Sequence, residues 1–262
     1  MRRAFLALLL PVIATGCAIR FDDDRDRSPN VSPTPQPKPR VTTSAPHQVQ
    51  EMTASMSAQS DENGVRVYAA LLLDTDFVVL DPGDYFTATI GGDTLVMTRE
   101  ASTDSTVHYV ATFPPVADAV DVVIAFHRPE GRVGAPYSLV RVAAPFAITS
   151  AVPASVRRSS SLALTVSPPP QFDDAIYARF YGACVGTNGG YPLAFDAEGG
   201  ATIPMSFVPI TGGLAASGCS LRIELRHATV GQVDSAFKRQ WDGTIGSIEG
   251  LQARSLAVKL VP

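Results

Sequence analysis

An all-β protein, built as two tandem β-sandwiches behind an N-terminal leader and a disordered proline-rich linker, is the fold class the sequence predicts. Three observations carry it. Apolar residues recur with a period of two in many short runs, no window beyond residue 60 carries them at helical spacing, and turn formers separate the runs, among 21 prolines and 20 glycines in 262 residues. At 45% hydrophobic and 18% charged, the chain has the apolar content to bury real cores.

The leader comes first. Met1-Arg2-Arg3 is a basic start, and Ala4 to Ile13 (AFLALLLPVI) is an apolar run interrupted by Pro11. As a helix it would rise about 15 Å, half the thickness of a bilayer core, so it is too short to span a membrane. A basic start, an apolar middle and small residues before a cleavage point are the layout of an export signal. The small residues Ala14, Thr15 and Gly16 lead directly into Cys17. This stretch resembles the lipobox of bacterial lipoproteins, with Ala14 where that family prefers leucine.

The resemblance implies that residues 1–16 are removed, that the Cys17 thiol receives a diacylglyceryl group, and that the new amino terminus is acylated. One chain alone binds a membrane marginally, but the three chains of that family anchor firmly. Ala18, standing where aspartate would signal inner-membrane retention, implies the outer membrane. The alternative is a secreted chain cut near Ala14 to Ala18 that keeps an ordinary thiol.

Residues 17–60 read as a tether. The charged run FDDDRDR, Phe21 to Arg27, is followed by Pro29, Pro33, Pro35, Pro37, Pro39 and Pro46. Prolines lack backbone donors and favour extended, semi-rigid chain. The aspartates of the charged run are read as a solvated stretch and not as a calcium site.

The first sandwich is expected over 61–146. Val65, Val67, Ala69, Leu71 and Leu73 share a phase, as do Val107, Tyr109, Ala111 and Phe113, and Val120, Val122, Ile124 and Phe126. Gly91-Gly92-Asp93 between two strand-like runs predicts a hairpin turn. The second sandwich is expected over 147–262. Phe146 to Val166 has a short strand, a proline-bearing turn, a polar patch and then Leu162-Leu164-Val166 in alternation. This shape resembles the opening of bacterial immunoglobulin-like sandwiches. Further strands are expected at Ile176 to Val185, Thr202 to Val208, Cys219 to His227 and Ser255 to Val261. Barrel and jelly-roll topologies satisfy the same patterns.

Cys184 and Cys219 both fall in the second domain, and an exported chain meets an oxidising compartment, so they are expected to form a disulfide. The alternative is two buried thiols.

A formal charge of −4 gives no reason to expect nucleic acid, which requires a clustered basic face. No P-loop, dinucleotide fingerprint or GxSxG elbow is present, and no cofactor or metal is implied. Four weaker candidates remain. His108 and His127 lie on polar phases of consecutive strands; a hairpin centred on Pro114 to Val116 would make them diagonal neighbours and a weak zinc site, and the reading preferred to it is two unrelated surface histidines. Asp74, Asp76, Asp81 and Asp84 are either turn formers or oxygen ligands for calcium. Ser235 and Lys238 satisfy SxxK, without its companion motifs. Tyr181, Tyr191 and Trp241 are a candidate carbohydrate-facing patch.

Taken together, these features predict a non-enzymatic lipoprotein of the bacterial envelope, membrane-bound through its lipid anchor, that binds a protein or glycan partner. An envelope hydrolase or metal-dependent enzyme, with a site assembled from distant loops, is the alternative.

Overall fold

The first strand begins at Val41, inside the segment read as tether. The computed structural model describes residues 40–100, 106–171, 175–186, 190–239 and 246–262. All of them lie in one unit, Pro39–Pro262. Strands β1 (Val41–Thr43) and β2 (Thr53–Ser60), with a short 3-10 turn between them, occupy residues assigned from sequence to the tether. The reason is legible afterwards. The inward phase of β2 is Ala54, Met56, Ala58 and Ser60, buried but mostly small, so its alternation carries little hydrophobic signal.

The first lobe continues with β3 (Val65–Leu73), β4 (Asp76–Val79), β5 (Tyr85–Ile90), β6 (Asp93–Val96), β7 (Thr98–Glu100), β8 (His108–Phe113), β9 (Val120–His127) and β10 (Ala135–Val142). One sheet sets β2 beside β3 and β3 beside β8, with β7 on β8 and with β4 and β1 continuing from the far end of β3. The facing sheet runs β10-β9-β5-β6. Between them pack the expected inward phases: Val65, Val67, Ala69 and Leu71 from β3, and Val122, Ile124 and Phe126 from β9, joined by Phe86 of β5. Burying side chains of this size contributes about 1.5–3 kcal/mol each. The β5–β6 turn is the predicted glycine pair. Gly91 and Gly92 have φ of 58° and 96°, the positive values a two-residue type I′ hairpin requires at both positions.

The second lobe holds β11 (Ala147–Ile148), β12 (Ser155–Arg157), β13 (Ser161–Ser167), β14 (Ile176–Tyr181), β15 (Tyr191–Pro192), β16 (Gly200–Pro204), β17 (Cys219–Val230) and β18 (Gly246–Val261). Its sheets are β11-β13-β16 and β15-β14-β17-β18, with β12 on the outer edge of β18. The two lobes repeat one plan. β2-β3-β8 faces β10-β9-β5-β6 in the first, and β11-β13-β16 faces β18-β17-β14-β15 in the second. That strand order, which switches sheets and is no simple meander, makes both lobes immunoglobulin-like sandwiches.

The lobes are not consecutive beads. β18 is 16 residues long and serves both. Its first half, Gly246 to Gln252, pairs in parallel with β2 of the first lobe, while its last three residues that pair with β12 sit in the second. On its other edge it pairs antiparallel with β17, from Val230↔Glu249 to Cys219↔Leu260. Ile248, with Val233 and Phe237, is buried in the first core, and Leu256, Val258 and Leu260 in the second. A sequential division at residue 146 therefore gives way to an arrangement in which the chain returns to its first lobe before ending in its second. At the junction Gln252 is fully buried and donates from Nε2 to the Ser60 carbonyl at 3.2 Å.

The disulfide is present. Cys184 and Cys219 are bonded with Cα atoms 6.2 Å apart, fastening the segment after β14 to the first residue of β17.

Candidate functional site

Alternation in a strand sends neighbours to opposite faces. In β18 the even-numbered Ile248, Leu256, Val258 and Leu260 enter the cores, so Ser247, Glu249, Leu251, Ala253, Ser255, Ala257 and Lys259 share the outer face. Of these, Ser247 and Glu249 are exposed beside the first lobe and Ser255, Ala257 and Lys259 beside the second, with Leu251 and Ala253 buried between them.

On the second lobe the outer face carries a lattice of arginine and tyrosine. Tyr177, Arg179 and Tyr181 alternate on β14, and Arg222, Glu224 and Arg226 alternate on β17. The register sets Tyr177 opposite Arg226, Arg179 opposite Glu224 and Tyr181 opposite Arg222. The Arg222 guanidinium lies over the Tyr181 ring at 4.5 Å, and that of Arg179 over Tyr177 at 5.7 Å. Glu224, 6% exposed at its side chain, is flanked by Arg222 at 3.5 Å and by a short bond from Arg226. Arg226 also donates to the Tyr181 hydroxyl at 2.9 Å. Burial works to lower the Arg226 pKa, but the hydrogen bond and charge of Glu224 outweigh it and raise the net value. Arg179 keeps a buried Nε with no hydrogen-bond partner.

On the first lobe the same face holds a shallow depression of about 450 Å³ lined by Ser55, Ser57, Tyr68, His108, Ser247 and Glu249, among others. Arg66 covers the Tyr68 ring at 4.9 Å, and burial is the main cause raising the Tyr68 pKa. Serine, histidine and glutamate together invite a test for nucleophilic catalysis, which requires a hydrogen-bonded nucleophile and base. The His108 ring instead meets Phe77 edge-on at 6.1 Å. A second groove, also about 450 Å³, lies between the lobes, walled by Phe146, Pro168, Pro169, Pro170 and Ile176 with Arg141 at its rim.

The structure separates the two histidines. β8 and β9 are consecutive but belong to opposite sheets, since the chain crosses the sandwich at Pro114-Pro115 in place of forming a hairpin. His127 stacks on Tyr85 at 4.7 Å and shares a 2.9 Å hydrogen bond with Thr87. The four aspartates do not converge. Asp74 sits at a turn with φ of 55° and pairs with Lys238 at 2.8 Å, which holds its carboxyl below the usual value. Asp76 accepts from the Arg40 amide, and Asp81 accepts from the Ala45 amide at 2.6 Å. Lys238 of the SxxK match is thus engaged with Asp74. Among the described residues no group of three or more histidine, cysteine or acidic side chains is placed to hold a metal.

Tyr181 and Tyr191 lie on opposite faces of their sheet. Tyr191 pairs with the buried Ala178 and its ring meets Phe207 at 5.0 Å, so no shared patch forms between the two tyrosines. Trp241, Cys17 and the charged run Phe21 to Arg27 lie outside the described residues.

Asp84 has a role that sequence reasoning missed. Its carboxylate is fully buried beside Arg128 at 3.4 Å and Arg132 at 3.7 Å. Arg128 donates to the carbonyls of His47 at 2.8 Å and Ser44 at 2.9 Å, and Arg132 donates to that of Ala45 at 2.6 Å. The cluster clasps residues 44–47, the connection that follows β1, onto the end of the first lobe. No spacing in the sequence links Asp84 to an arginine 44 positions later.

No protein-family model matches the chain, and no curated protein matches it. Solved structures that align with it include the FN1–FN3 domains of chicken CNTN1, at 9% identity and TM-score 0.25 over 86% of this chain and 65% of that one. The adhesin InvE of Yersinia pseudotuberculosis aligns at 12% identity and TM-score 0.24, covering 80% and 60% respectively. A segment of two fibronectin type III domains from chicken tenascin aligns at 9% identity and TM-score 0.22, covering 79% and 99%. The chain therefore spans less than two thirds of the first two. The sandwich assignment rests on strand order, independently of these alignments.

Proposed function

We propose that the chain is an exported lipoprotein, anchored through Cys17 in the outer membrane, whose two-lobed body is a non-enzymatic binding module of the cell envelope. The anchor reading is supported by the lipobox resemblance of Ala14 to Cys17, followed by proline-rich chain that lets the body stand off the membrane. The binding reading is carried by one observation: the shared hairpin β17–β18 holds both lobes together and exposes Ser247 and Glu249 beside the first and Ser255, Ala257 and Lys259 beside the second on the same side of one strand. A rigid face loses little conformational freedom when a partner docks, so more of the contact energy appears as affinity.

Photo-crosslinking in intact cells tests this. A photoreactive residue at Ser255 or Ala257, exposed on the outer face of β18, is expected to give a discrete higher-mass adduct. The same residue at Tyr137, 58% exposed on the opposite sheet of the first lobe, is expected to give none. Adducts from Tyr137 alone, or from none of the three positions, would overturn the assignment of the face.

A further inference from the structure

We propose that the arginine–tyrosine lattice of β14 and β17 is the contact surface for a protein partner that presents clustered aspartate or glutamate side chains. This rests on the binding-module reading and names the chemistry of its partner. Glu224 is paired with two guanidinium groups, those of Arg222 and Arg226, and stands opposite a third, Arg179, on a chain whose formal net charge is −4. The excess is local and positive where the molecule as a whole is negative, so it attracts a carboxylate-bearing surface and turns away most others.

The arginines are also pre-positioned. A guanidinium held over a tyrosine ring has less rotamer freedom to lose when a partner arrives, and its N–H edges remain a planar fork for carboxylate oxygens. Arg222 sits this way on Tyr181 with its side chain 55% exposed. Arg179 sits over Tyr177 with its centre 5.7 Å from the ring centroid, and its buried Nε faces inward, so its terminal NH2 groups are the ones a partner would meet.

Two features favour a protein over an acidic polysaccharide. Tyr177 and Tyr181 already carry guanidinium groups on their faces, which removes the bare rings a sugar would stack on. Stacked arginine and tyrosine on a broad, shallow sheet is also the composition that dominates protein–protein hot spots. Beside the lattice, the small and exposed Ser255 and Ala257 of β18 stand opposite Glu224 and Arg222, forming a low shelf that leaves the approach open.

The test uses the purified full chain and a fluorescent polyglutamate peptide, with polygalacturonate of matched charge as the polysaccharide arm. Polyglutamate is expected to bind, weakening as salt is added, and to bind more tightly than polygalacturonate. The double variant R179Q/R222Q is expected to lose about tenfold in affinity with an unchanged melting temperature. R179K/R222K, which keeps both charges but loses the planar forks, is expected to weaken as well. If R179Q perturbs the fold, R222Q alone, at an exposed side chain, carries the test with about a threefold loss. Undiminished binding by the glutamine variants, full binding by the lysine variant, or equal binding of the two polymers would each overturn the proposal. Because the assay is independent of anchoring, failure of the lipoprotein assignment would leave its result untouched, and failure here would leave that assignment standing.

Discussion

Replacing Ile248 with alanine should weaken both lobes, although the side chain touches only the first. Ile248 is 1% exposed and sits in the first core, where truncating an isoleucine to alanine costs about 3 kcal/mol. That is a factor of about 150 in the unfolding equilibrium, and for a body of this size it corresponds to about 9 °C in Tm. The question is where the loss is felt. β18 continues unbroken from Ile248 to Leu260, locked along its length to β17. Releasing its first half therefore frees the strand that completes the second sandwich. Hydrogen exchange read by mass spectrometry separates the lobes. The slowest amides of β5 and β9 report on the first, and those of β13 and β16 on the second. The shared strand predicts that protection in both sets falls by the same factor of about 150. If β5 and β9 lose protection while β13 and β16 keep theirs, the lobes open independently and the coupling argument fails.

Three further outcomes follow from the same geometry. Replacing Cys184 and Cys219 with serine removes a closure spanning 35 positions, which costs about 3.8 kcal/mol in the chain-entropy model; a Tm within 2 °C of wild type in thermal unfolding, well inside that expectation, would contradict it. Asp84→Ala leaves Arg128, whose side chain is 2% exposed, without its buried counter-charge, at a cost of about 3 kcal/mol in denaturant unfolding, and should speed proteolysis near residues 44–47. The Asp74 carboxyl, held below 3.8 by the hydrogen bond from Lys238, contributes stability that is present above the unfolded-state value and lost as pH falls through the lowered one. In Lys238→Met its NMR titration midpoint should rise toward 3.8, and an unmoved midpoint would show that Lys238 is not the cause.

What the sequence revealed and concealed follows from the range of each signal. Strands such as Cys219 to His227 were legible because their large apolar residues alternate with charged ones, a pattern that needs no knowledge of partners. The Gly91-Gly92 turn was legible because two positive φ angles demand glycine locally. The strand at Thr53–Ser60 escaped because small side chains filled its buried phase. The return of β18 to the first lobe escaped for a different reason. Parallel pairing of Gly246 with Ala54 joins positions nearly 200 residues apart, and alternation says which face is buried but never against which strand. The same blindness leaves open whether His108 and His127 meet, since consecutive strands pair only when the chain does not change sheets, and here it does. The Arg–Tyr lattice depends on the register of β14 against β17, and that register is a tertiary fact. Alternating Tyr177-Arg179-Tyr181 and Arg222-Glu224-Arg226 were in the sequence as a hint, but only their pairing makes a surface.

A binding body tied to the membrane through Cys17 carries its anchor on the first residue of the mature chain. The mass of the N-terminal peptide of the mature protein, extracted from the membrane fraction, tests it most directly. The expected chain begins at Cys17 and carries a diacylglyceryl thioether and an acylated amino group. A mature chain that starts elsewhere, or at Cys17 with an unmodified thiol, would contradict it.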